Sequence, residues 1–200
     1  MPRVDTDTFY RNALARYGHG AEGVHWESSK SQRVRFAILR GLLPADLSTL
    51  TLVDMGCGMG DLFRYLEVRG DRPGDYIGID VVEPMVEIAR LRTGMPVLKL
   101  DALCDPLPPA DYYLCSGAMN TLTRAETRLF IERCLAASRV GFVFNLLHGE
   151  DDCNTFNYWQ PEQIESLALE LGADCAIETG YMYQDFSAAL RHPGASDASG

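Results

Sequence analysis

A short apolar run, Leu50 to Met55, ends in Gly56-Cys57-Gly58-Met59-Gly60-Asp61, and this glycine-spaced segment restricts the chain more than any other feature. Without Cβ atoms, glycines let the main chain turn sharply and let a ligand approach the backbone closely. A helical pattern starts at Gly60 and runs to Val68, carrying Leu62, Tyr65 and Leu66. The first N–H groups of such a helix have no helical partner and favour a negative group such as a carboxylate. A tight strand-to-helix turn with no ligand fits the same residues, so other parts of the chain must decide between the two readings.

The strand-then-helix pattern recurs. Tyr76 to Ile79 reads as a strand, and a Pro84-initiated helix runs to Arg92. Val97 to Leu100 and Tyr112 to Cys115 read as strands, Arg124 to Ala137 as a helix, and Val140 to Leu146 as a strand. Such alternation requires a parallel sheet, because right-handed crossovers lay each helix on one of its faces. Pro161 to Leu171 then reads as a helix with Ile164, Leu167 and Leu171 inward. The runs Cys175 to Tyr183 and Phe186 to Arg191, parted by Gln184 and Asp185, read as an antiparallel hairpin at the sheet edge. Upstream, Thr6 to Tyr17 and Ser31 to Leu43 have helical spacing, with Gly18, Gly20 and Gly23 between them and Pro44 ending the second. The expected fold is α/β: N-terminal helices, then a doubly wound, mostly parallel seven-stranded sheet with helices on both faces and an antiparallel C-terminal hairpin.

A length of 200 residues suits one domain. The expected division is a single domain over 1–193, with an N-terminal helical cap over 1–45, a core over 50–193, and a disordered Ala/Ser/Gly-rich tail over 194–200. A net charge of -10 and a pI near 4.8 repel phosphate backbones, so general nucleic-acid binding is not expected and a neutral or cationic small substrate fits better. The six cysteines, Cys57, Cys104, Cys115, Cys134, Cys153 and Cys175, show neither a CxxC pair nor zinc-finger spacing. They read as buried reduced thiols, with no metal site, in a cytoplasmic protein. The opening MPRVDTDTFYRN lacks the apolar core of a signal peptide, and no run approaches the roughly 20 apolar residues of a membrane span.

Two acids close successive strands. Asp80, about 20 residues beyond the glycine turn, stands at the end of the second strand in Gly78-Ile79-Asp80, and Asp101 ends the third in Leu100-Asp101-Ala102. At the carboxyl edge of a doubly wound sheet both face the crevice above the glycine turn. One carboxylate there can accept from both hydroxyls of a ribose, and the other from an adenine amine. Each also fits a structural role, Asp80 as a helix N-cap or turn aspartate and Asp101 in a turn.

Together these positions resemble the class I (Rossmann-like) S-adenosylmethionine-dependent methyltransferases, over roughly Thr51 to Leu147. That family has an acid two residues before a GxGxG turn, matched by Asp54, Gly56, Gly58 and Gly60. Dinucleotide dehydrogenases instead use GxGxxG, and the last of those positions is Asp61 here. The resemblance implies S-adenosylmethionine as cofactor and S-adenosylhomocysteine as product. It implies that Gly56, Cys57 and Gly58 line the methionine end and that Asp54 lies near its amino group. By the same resemblance Asp80 holds the ribose, Val81 packs on an adenine face, and Asp101 with Ala102 reads the adenine. Cys115-Ser116-Gly117-Ala118-Met119-Asn120 is similar to the family's fourth motif, whose backbone, Ser116 included, passes beneath the sulfonium. It is not the [DN]PP[YF] motif of amino-group DNA methyltransferases.

The family's N-terminal helices often close over the cofactor, which implies contact from Trp26, Gln32 or Arg35; a solvated helix with Trp26 in a local core fits these residues equally. Gln32 and Arg35 stand three residues apart, on one helical face. Asn145 and His148 of the fifth strand are expected near the rim of the cleft. Methyl transfer is an in-line displacement that chiefly needs alignment and exclusion of water. Where the acceptor must lose a proton, His148 is the candidate base, against the reading of a surface histidine beside Gly149-Glu150-Asp151-Asp152. His19 and His25 are candidate lid residues, and Tyr158 and Trp159 either wall a substrate pocket or staple a helix to the core. The function expected is methyl transfer to a small molecule or protein side chain. The alternatives are a non-catalytic binder of S-adenosylmethionine or its product, and a dinucleotide-dependent oxidoreductase.

Overall fold

The computed structural model describes residues 29–150 and 155–195, together with Thr8. In chain order these form α1 (Ser29–Gly41), β1 (Thr51–Met55), α2 (Asp61–Arg69), β2 (Asp75–Asp80), α3 (Glu83–Thr93), β3 (Val97–Lys99) and β4 (Ala110–Ser116). A single 3-10 turn (Ala118–Thr121) leads to α4 (Arg124–Ala137), β5 (Ser138–His148), β6 (Tyr158–Trp159), α5 (Pro161–Glu170), β7 (Asp174–Thr179) and β8 (Asp185–Arg191). Apart from Thr8, the helix expected over Thr6 to Tyr17 lies outside the described residues, as do His19, His25, Trp26, Cys153 and the chain beyond Ala195.

The sheet runs β3-β2-β1-β4-β5-β8-β7, with β6 pairing β5 off that path. All pairings from β3 to β5 are parallel, and β8 runs antiparallel to both β5 and β7. The seven expected strands thus form one continuous path, and the two-residue β6 adds an eighth. Between β1 and β4 the winding reverses, which opens a crevice at their carboxyl ends.

Side chains alternate between two cores, as the pleat demands. From one face Val53, Phe142 and Phe144 meet Phe130 and Ile131 of α4 and Ile164 and Leu167 of α5. From the other, Leu52, Tyr112, Val143 and Ala189 meet Phe36 and Leu39 of α1 and Leu62 and Leu66 of α2. Strands covered on both faces read as nearly unbroken apolar runs, which is why β1, β4 and β5 stand out in the sequence.

Local chemistry sets the boundaries. At the start of α4, Thr123 Oγ1 accepts from the Glu126 N–H at 3.3 Å while the Glu126 carboxylate accepts from the Thr123 N–H at 2.9 Å, a reciprocal cap. The hairpin loop is longer than the expected Gln184-Asp185: Gly180, at φ 78°, ends β7 early, and Asp185 already belongs to β8. The cysteines also depart from expectation, since Cys57, Cys115 and Cys134 are buried but Cys175 is half-buried and Cys104 exposed. Cys104 lies in the turn after β3, where Asp101 and Asp105 shape the backbone and leave the thiol outside the core. Among the described residues no helix is long and apolar enough to cross a membrane.

Candidate functional site

Gly56, Gly58 and Gly60 adopt φ of 74°, 52° and 79°, a left-handed backbone that other residues adopt at a cost. The elbow is tied to the end of β2, because Gly56 and Cys57 donate their N–H groups to the Ile79 carbonyl at 2.7 and 3.0 Å. A Cβ on Gly56 would run into the Cβ of Ala118, so the loop after β4 lies directly against the elbow. A Cβ on Gly60 would collide with Thr93 at the end of α3.

Asp80 completes the elbow. One carboxylate oxygen accepts from the Gly58 N–H and the other from the Val82 N–H, each at 2.9 Å. Burial pushes its carboxyl above the usual range, against the pull of these N–H groups. A carboxylate offers about four lone-pair sites, so acceptor capacity for a ligand's hydroxyls is left beside the two backbone bonds. The N-cap of α3 is Val82, with no side-chain cap bond, so Asp80 serves as a turn acid to the N–H two residues on, and this role coexists with an acid held at the crevice. Val81, half-buried, precedes the buried Val82.

Asp54 lies beneath the elbow rather than in the open crevice, only 2% exposed, where the Tyr76 hydroxyl donates to it at 2.7 Å. Burial, with the charges of Asp80 and Asp61 adding to it, pushes its carboxyl up to about 7. Cys57 packs with Val86, Ala89 and Val97. Burial and the nearby acids Asp54 and Asp80 raise its thiol well above the ordinary range, so it is a neutral packing group. At the end of β3, Asp101 accepts from the Leu103 N–H at 2.8 Å, which gives it the turn role, and Ala102 is buried in the α4-side core.

Ser116 and Asn145 are register partners on β4 and β5. Ser116 Oγ and Asn145 Oδ1 are buried and have no hydrogen-bond partner among the described residues. Asn145 was expected at the rim, but it is fully buried and donates its amide to Asp185 at 3.4 Å. The reason is that β5 continues three residues further, to His148, so Asn145 sits within the covered sheet. Gln32 and Arg35 leave α1 toward different partners. Gln32 is buried and donates to Asp61, the first residue of α2, at 3.4 Å. Arg35 forms an ion pair with Asp185 of β8, which also accepts from the Tyr181 hydroxyl at 2.5 Å.

His148 is half-buried at the end of β5, edge-on to Phe186 with ring centres 6.0 Å apart. Its Nε2 lies 3.0 Å from Gln160 Oε1. Trp159 enters the core as part of β6, and Arg124 stacks on its ring at 4.7 Å, which makes it a staple rather than an open pocket wall. Tyr76, Ala118, Gln160 and Asp185 were missed as site residues. Asp185 reads in the sequence as a turn acid between two strand-like runs, which hides its place in β8.

A model of a methyltransferase domain matches residues 52–141, from β1 into β5. With the strand order and the left-handed GxGxG elbow, this match makes the segment from β1 into β5 similar to methyltransferase domains. It is 39% identical over 110 residues to a Mycobacterium tuberculosis protein that carries the name of a methyltransferase, a match covering half of this chain (50%) and 65% of that relative's length. Among solved structures, magnesium protoporphyrin IX methyltransferase from Synechocystis PCC 6803 with bound S-adenosylmethionine has a TM-score of 0.68 at 15% identity, covering 96% of this chain and 99% of that one. An S-adenosylmethionine-dependent methyltransferase from Mesorhizobium loti has a TM-score of 0.63 at 17% identity, covering 78% and 96%. At these identities the solved structures speak for the fold.

Proposed function

We propose that the chain is an enzyme that transfers a methyl group from S-adenosylmethionine to an acceptor on a small molecule or a protein side chain, releasing S-adenosylhomocysteine. The observation that carries this reading is the junction of Gly58 and Asp80: a left-handed glycine backbone and a buried acid with acceptor capacity to spare, at the sheet's winding reversal. When bound, the cofactor supplies an electrophilic methyl group on a sulfonium. The residues of the chain bind and align it. Asp80 accepts from the ribose hydroxyls, Val81 packs against the adenine, and the spare oxygen of Asp101 accepts from the adenine amine, with Ala102 fixing the backbone there. The elbow from Gly56 to Gly60, with Cys57 packed beneath it, leaves room for the methionine end. Ser116 Oγ, a buried acceptor with no partner among the described residues, suits its ammonium group, and Asp54 supports the elbow from beneath.

Gln32 helps to close the crevice from α1 while Arg35 anchors that helix. We also assign 1–193 to one domain with a short tail over 194–200, acting in the cytoplasm on a neutral or cationic acceptor, in keeping with the charge of -10. Calorimetric titration with S-adenosylmethionine, S-adenosylhomocysteine and NAD tests the cofactor: tight binding of the first two and none of the third is expected. Label from a methyl-labelled cofactor should then appear in a metabolite or protein pool. Binding without any transfer would mark a non-catalytic binder.

A further inference from the structure

The side chain of Gln160, the residue before α5, makes two bonds. Its Nε2 donates to the Gly149 carbonyl at 2.9 Å, and its Oε1 lies 3.0 Å from Nε2 of His148. The first bond orients the amide, because a carbonyl oxygen only accepts. The amide oxygen therefore faces His148, so the ring's Nε2 must be the protonated nitrogen, and the lone pair is left on Nδ1. Gln160 is itself held: its N–H donates to Gln163 Oε1 at 2.9 Å, Arg124 donates to the same oxygen at 3.2 Å, and Arg124 also bonds the Tyr158 carbonyl at 2.7 Å. Phe186 fixes the other side of the ring.

We propose that Gln160 is a positioning residue that holds His148 as the Nε2–H tautomer, with Nδ1 as the base, and hence that the acceptor is protic, an O–H, N–H or S–H group. This rests on the methyl-transfer reading. As the acceptor atom bonds to the methyl carbon, the carbon–sulfur bond breaks and its electron pair stays on sulfur. The acceptor's proton passes to Nδ1, leaving an imidazolium whose Nε2–H still donates to Gln160. Among the described residues, the side chains recorded against the imidazole are uncharged: Gln160 from α5 and Phe186 from β8. Of the charged groups on the adjoining elements, Arg124 stacks on the neighbouring Trp159, Glu150 is exposed, and Asp185 is paired with Arg35.

The test is a pH titration of the imidazole by nitrogen-15 NMR on the full chain, with the His148 signals identified by their loss in His148→Asn. The neutral ring should be almost wholly Nε2–H in the wild type and mixed in Gln160→Leu. In Gln160→Glu, where a carboxylate faces Nε2–H, the midpoint should rise by about one pH unit. In the wild type, saturating S-adenosylmethionine should give a lower midpoint than S-adenosylhomocysteine, by about half a unit or more, because a base at Nδ1 faces the reacting sulfonium and only the former carries that positive charge. A wild-type ring protonated on Nδ1, or equal midpoints with the two ligands, overturns the proposal and leaves the cofactor reading intact. Failure of both ligands to bind overturns the cofactor reading and the base with it.

Discussion

The main-chain N–H of Gly58 is joined to the side chain of Asp80 by a hydrogen bond of 2.9 Å, so the shape of the elbow and the direction of the acid are one feature. Replacing Asp80 by Ala leaves the N–H groups of Gly58 and Val82 without that acceptor. A stability loss of about 1–3 kcal/mol is expected in urea denaturation, together with at least tenfold weaker binding of S-adenosylmethionine by calorimetry. Asp80→Asn keeps an acceptor oxygen and should lose less of both. Wild-type affinity in the Ala variant would remove Asp80 from the site.

Asp54 links stability to pH. Its carboxyl, raised from 3.8 to about 7 by burial, favours folding while protonated. That contribution is complete below the unfolded value and is lost as pH rises through about 7. Asp54→Asn mimics the protonated form, so relative to the wild type it should gain stability between pH 5 and pH 8, by about 3 kcal/mol at most. Thermal melts at the two pH values measure this. Parallel pH dependence in the two proteins would show that Asp54 titrates normally.

Two glycines should respond oppositely to alanine. Gly56 has φ 74° and Ala118 in the path of a new Cβ, so Gly56→Ala should cost about 2 kcal/mol and impair cofactor binding. Gly41 ends α1 with nothing within 4 Å of a new Cβ, so Gly41→Ala should be neutral or stabilising by up to about 1 kcal/mol. Equal effects in denaturation experiments would contradict the packing of the β4 loop against the elbow.

The Arg35–Asp185 pair is nearly dry, with side-chain exposures of 12% and 0%. Burial pushes the Asp185 carboxyl up even with the guanidinium beside it, so desolvation opposes much of the attraction. Asp185→Ala strands Arg35 and should cost about 3–5 kcal/mol, while the double change Arg35→Met with Asp185→Leu should recover most of the loss. Additive losses in the cycle would mean that the two residues do not act as a pair.

The sheet was legible because its strands are covered on both faces and its helices carry their own punctuation: Pro84 and Pro161 near helix starts, and the Thr123–Glu126 cap ahead of α4. The glycine elbow and Asp80 were legible because their chemistry is local to strand ends. Partners far apart in the chain were not. Tyr76 reads as an ordinary strand residue until the parallel register sets it beside Asp54, and Gln160 reads as a polar residue before a helix until β6 brings it to His148. Arg35 was placed on the correct face of its helix, yet its counter-charge lies 150 residues away. The two-residue β6 is too short for any periodicity to show.

The dependence of α1 on β8 sets an order of assembly. Its apolar face rests on β4, β5 and β8, and its Arg35 is paired with Asp185 of β8. During synthesis from the N-terminus, this helix leaves the ribosome well before β8 and must wait, its greasy side uncovered, until nearly the whole chain has followed it out. Ribosome-bound chains halted before β8 should therefore keep residues 29–41 open to proteolysis, and release of the full chain should close them.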